Sequence, residues 1–78
     1  MPTVLRSGPY RVFFYSGDQG EPAHVHVQRE RMVAKLWLEP VRLQSSGGFN
    51  RGELRRIEEL IRNSADLLLE RWNEFFGT

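Results

Sequence analysis

AHVHVQ, residues 23–28, followed by MVAKLWL, residues 32–38, decides the fold. Both stretches alternate in polarity, and successive side chains of a strand point to opposite faces of a sheet. Val25 and Val27 therefore share one face, with His24, His26 and Gln28 on the other. In the second stretch Met32, Ala34, Leu36 and Leu38 share a face, with Val33, Lys35 and Trp37 opposite. The short link between the two stretches makes the pair antiparallel.

Working outward, YRVFFYS at 10–16 is rich in aromatic and β-branched types and reads as a preceding strand. GDQGEP at 17–22 is loop chemistry, with two glycines, an aspartate and a proline. On the other side Glu39-Pro40 interrupts the ladder, because proline has no N–H to donate. VRLQ at 41–44 then forms a short fourth strand with Val41 and Leu43 on one side. Residues 1–9 read as an N-terminal arm.

Past Ser45-Ser46-Gly47-Gly48 the apolar period changes from two to that of a helix. Asn50 is a good N-cap, Glu53 completes a capping box, and Phe49 with Leu54 forms a hydrophobic staple. Leu54, Ile57, Ile61, Ala65, Leu68, Trp72 and Phe75 recur every three or four residues, giving one apolar stripe. Asn63-Ser64 could cap a second helix, so the spacing allows a kink near residue 63. Gly77 ends the segment.

These elements predict one α+β domain over 1–78, with an arm at 1–9, a sheet at 10–45 and a helical segment at 50–76. A three- or four-stranded antiparallel meander is packed on one face by a long C-terminal amphipathic helix. The Val25/Val27, Met32/Ala34/Leu36/Leu38 and Val41/Leu43 faces meet the helix stripe. In so short a chain nothing remains to cover the second face. It is expected to display His24, His26, Gln28, Lys35, Trp37 and Arg42, with either Arg11/Phe13/Tyr15 or Val12/Phe14 from the first strand.

Composition narrows the function classes. The absence of cysteine excludes disulfides, thiolate metal sites and thiol nucleophiles. No apolar run approaches a membrane span, and MPTVLRSGPY lacks the apolar core of a signal peptide, so the cytoplasm is the expected location. Eleven basic and ten acidic residues leave a net charge of +1, too little for strong nonspecific attraction to nucleic acid.

The protein has two histidines, and both lie in this one strand. Read as metal ligands they need a third donor, and Asp18, Glu21 or Glu39 would have to supply it. For want of a third histidine or cysteine, the expectation is a site with no metal and no cofactor. Read as catalytic groups, His24 or His26 could exchange protons in a metal-independent ribonuclease, with Lys35, Arg29 or Arg42 holding the phosphate. The plainest reading makes them polar strand residues stacked beside Trp37 and Tyr15. An intermediate reading makes the half-aromatic face, with Gln28, Lys35, Trp37 and Arg42, a surface for a protein partner, whether another protein or a second copy of the chain.

The run GPYRVFFYSGDQGEPAHVHVQRE, then AKLWLEPVRL, GFNRGELRRIEELI and ERWNEFFG, resembles the domain-of-unknown-function family 4160 over nearly the whole chain. The Pro-x-His-x-His-Val motif and the terminal Trp-x-Glu-Phe-Phe carry the likeness; Pro22, His24, His26, Val27, Ala34, Trp37 and Trp72 match position by position. Longer members have a glycine in the turn after the histidine strand, where this chain has Glu30-Arg31. The resemblance implies a small bacterial protein whose gene often lies beside one for a second small domain. That pairing suggests a toxin–antitoxin-like module with a protein partner from the adjacent gene. It carries over no catalytic residue.

Overall fold

The computed structural model describes residues 3–77. Its five strands form one antiparallel sheet in sequence order: β1 Thr3–Ser7, β2 Tyr10–Phe13, β3 His24–Arg29, β4 Met32–Leu38 and β5 Val41–Ser45. One helix, α1 Arg51–Phe76, follows.

The central hairpin has the register that alternation requires. His24 lies opposite Trp37, Val25 opposite Leu36, His26 opposite Lys35 and Val27 opposite Ala34. The core joins Val12, Val25, Val27, Ala34, Leu36 and Leu38 to Ile57, Ile61 and Leu68 of the helix, with Val41 and Leu43 packed against it. Full burial of each large aliphatic side chain there contributes about 1.5–3 kcal/mol. The choice left open for the first strand is made by Val12, which faces this core, while Arg11 and Phe13 take the histidine side opposite Gln28 and His26.

The expected bounds of two elements are corrected. The segment read as an N-terminal arm contains β1, so the sheet has five strands where three or four were expected. Its register shifts between Thr3 and Leu5, and adjacent Val4 and Leu5 both pack on the core. Such a bulge breaks strict alternation, which is why the strand was not legible as one. The helix is also continuous through Asn63-Ser64. Neither residue costs enough propensity to break a helix whose stripe stays buried at Ile57, Ile61, Leu68 and Trp72.

Three connections are tightly specified. Glu30 holds a φ of +57° at the first position of the two-residue β3–β4 turn, a conformation that glycine adopts more easily. The Glu39-Pro40 peptide between β4 and β5 is cis. Gly47 has φ +61°, and a Cβ there would sit 1.9 Å from the Val33 carbonyl oxygen, so only glycine lets the chain pass under the sheet edge into the helix.

Asn50 caps α1 by accepting the Glu53 backbone N–H at 2.8 Å. The Glu53 side chain does not close the expected box. Its carboxylate instead accepts from Arg29 Nη2 at 2.8 Å, from Arg29 Nε, and from Tyr10 Oη at 2.9 Å. This pins the first turn of the helix to β2 and β3. Gly77 closes the other end in the left-handed conformation, its N–H donating to the Asn73 carbonyl.

The Arg29 guanidinium holds the Glu53 carboxyl below its usual range, since its hydrogen bonds outweigh the opposing effect of desolvation. A carboxyl depressed in the folded state stabilises above its unfolded pKa, and that stability is lost as pH falls through the folded value. Urea unfolding should therefore show stability declining below about pH 4.3. Glu53→Gln should lower stability at neutral pH and make the acid decline shallower.

Candidate functional site

β2 ends at Phe13 opposite His26, so β3 has no strand neighbour on that side at His24. The gap is filled from two directions. From the helix, Trp72 brings its ring centroid within 5.2 Å of His24. From the other side the chain between β2 and β3 folds back across the histidine face through a short 3-10 turn, Asp18–Gly20. The second face is consequently not bare, in contrast to the expectation from length alone. His24 is wholly enclosed, and Phe13 is 1% exposed.

The returning segment is fixed by its own backbone. Asp18 donates its N–H to the Tyr15 carbonyl, and its Oδ2 accepts the Tyr15 N–H at 2.9 Å. That reciprocal turn aims the carboxylate at both imidazoles. Asp18 Oδ2 lies 3.0 Å from His24 Nε2 and 3.3 Å from His26 Nε2. At the other end Glu21 pairs with Lys35, fastening the segment to β4. Among the described residues, Asp18, His24 and His26 bring one donor atom each within 4.8 Å of one another.

The two histidines differ sharply. His24 Nδ1 lies 2.9 Å from the Pro22 carbonyl oxygen, to which it donates. Its Nε2 is buried and, among the described residues, makes no hydrogen bond of acceptable direction, despite the nearby carboxylate. His26 keeps 14% of its side chain exposed and stacks on Phe13 at 5.3 Å. Burial lowers the His26 pKa, against the opposing bond and charge of Asp18, and favours the neutral ring. For Asp18, burial would raise the carboxyl, but the Tyr15 N–H and the two imidazoles together outweigh it and leave it lowered.

The other residues expected on this face are there but are not all free. Gln28 accepts from Arg11 at 2.7 Å and donates to the Glu30 carbonyl. Lys35 is held by Glu21 and sits 4.8 Å over the Trp37 ring. Trp37 leans edge-on against His24 at 5.7 Å. Arg42, opposite Trp37 in the register, is exposed. Trp37 and Arg42 line a groove of about 430 Å³ with Pro22, Ala23, Glu39 and Pro40.

Sequence reasoning named Asp18 only as one of three carboxylates that could approach the histidines. The signal that could have singled it out is the turn chemistry of GDQG, with Asp18 placed to bond back to Tyr15. Arg29 and Glu53 as a fork joining sheet to helix were not foreseen, because Glu53 already had a local role in the capping box.

An antiparallel sheet under one helix, with a His-x-His strand strapped by an acidic loop, is the scaffold on which the family assignment falls. The chain matches the family described as Domain of unknown function (DUF4160) over residues 10–73, and it belongs to that family. No match was found among curated proteins or among solved structures. No helix among the described residues is long and apolar enough to cross a membrane.

The difference in enclosure predicts different costs. His24→Ala removes a ring packed between Trp37 and Trp72 and should cost about 2–4 kcal/mol in urea unfolding. His26→Ala, at the rim, should cost about 1 kcal/mol.

Proposed function

We propose that this protein acts by binding a partner protein, as one half of a two-gene module of the toxin–antitoxin kind, through the end of the sheet that carries Trp37 and Arg42. The observation that supports this best is the groove lined by Trp37, Arg42, Pro22, Ala23, Pro40 and Glu39. An indole and an arginine are the side chains that most often anchor protein interfaces. Arg42 and Glu39 are exposed at its rim, where charges of both signs favour a polypeptide over a nucleic acid. The near-neutral charge of the chain points the same way.

The partner in this reading is the small protein encoded by the adjacent gene in bacteria, met in the cytoplasm. His24 serves the surface from beneath: its ring supports Trp37 edge-on. Gln28 and Lys35 hold neighbouring loops in place and contribute little direct contact.

A second reading, a metal-independent ribonuclease, narrows to His26. His24 is enclosed and cannot touch RNA, whereas His26 keeps a rim exposed and has a carboxylate to orient it. One experiment separates the readings. Co-expression with the product of the adjacent reading frame should give co-purification that Arg42→Glu combined with Trp37→Ala abolishes, while circular dichroism is unchanged. Binding retained by that double variant would overturn the partner surface. Growth arrest on induction that His26→Ala relieves would favour the ribonuclease.

A further inference from the structure

We infer that Asp18, His24 and His26 form a binding site for a divalent transition-metal ion of the zinc class, which ties the loop between β2 and β3 to the sheet. The inference is independent of the partner-binding reading. It rests on how the three donors are arranged.

His24 is the decisive residue. In the neutral ring, donation from Nδ1 to the Pro22 carbonyl leaves the lone pair on Nε2. That nitrogen is fully buried and has no hydrogen bond among the described residues. It nevertheless lies 3.0 Å from a carboxylate oxygen, which is also an acceptor. Two acceptors held this close in a buried place repel unless a proton or a metal cation lies between them, and the carboxylate oxygen stands off the hydrogen-bonding direction of the ring nitrogen. A ring nitrogen held by a backbone carbonyl on its far side is the usual way a protein fixes an imidazole as a metal ligand.

The spacing fits. Ligand atoms about 2.0–2.1 Å from a tetrahedral zinc lie about 3.3 Å from one another. Asp18 Oδ2 is 3.0 and 3.3 Å from the two Nε2 atoms, and all three donors fall within 4.8 Å. Small movements of the His26 ring complete the set. Two imidazoles and one carboxylate favour zinc, nickel, cobalt or iron over magnesium or calcium, which prefer oxygen alone. The partly exposed side of His26 leaves a fourth position for water.

Such an ion would do what the thin core does poorly. After Phe14, which packs on Trp72, the loop carries no buried side chain, and its polar side-chain attachments to the sheet are Asp18 on the imidazoles and the Glu21–Lys35 pair. A metal at Asp18 anchors it at the point where it crosses β3.

The test uses the untagged full-length chain, treated with chelator and then dialysed. Titration with cobalt(II) should give the visible absorption of a tetrahedral centre at one ion per chain. Zinc should displace the cobalt and raise the melting temperature. Asp18→Asn and His26→Gln, both partly exposed positions checked for folding by circular dichroism, should each weaken binding by more than about tenfold, the loss that even an outer-shell change can cause. Absence of the cobalt band in the wild-type chain would overturn the site. Equal affinity in either variant would do so too, by showing that the ion sits elsewhere on the surface.

Discussion

A single helix can cover only one side of a sheet, and the arrangement of the histidine face answers to that constraint. The stripe of Ile57, Ile61 and Leu68 buries Val25, Val27, Ala34 and Leu36 and leaves the opposite side to be managed by other means. Alternation along β3 then sends both histidines to that opposite side. A loop too short to form another layer is drawn over them by polar contacts: Asp18 on the imidazoles and Glu21 on Lys35. The candidate site is thus a product of the shortage of helix in so small a domain.

The polar strap also divides the histidine face into two regions with different chemistry. Near β2 and β3 the face is closed, with Phe13, His24 and His26 packed against one another. Toward the β4–β5 turn it is open, and Trp37 and Arg42 stand at a groove. Trp37 belongs to both regions, one edge against the enclosed imidazole and the rest lining the open surface. Any ligand seated in the groove therefore leans on the same indole that walls the buried site, which gives the two a physical connection through one side chain.

Much of this was legible in the sequence. The faces of β3 and β4, the helix stripe as far as Trp72, the Asn50 cap and the Gly77 stop follow from periodicity and local chemistry, and the structure has them, whereas Phe75, expected to continue the stripe, is 48% exposed. What was not legible depends on non-local geometry. β1 carries a bulge that hides its alternation. Glu53 was claimed by its own helix in the sequence reading, yet Arg29 on a distant strand competes successfully for its carboxylate. The enclosure of His24 required knowing that β2 stops short and that Trp72, near the far end of α1, fills the space beside it. The alternation rule gave the correct side of the sheet for His24 but could not say what lies above it.

The packing around His24 has an optical consequence. The chain contains two tryptophans, and their rings stand 5.7 and 5.2 Å from this one imidazole. All of the protein's indole emission therefore originates beside a single side chain. A displacement of that ring or of the strap over it changes the surroundings of both indoles at once, so the intrinsic fluorescence of the unlabelled molecule senses it.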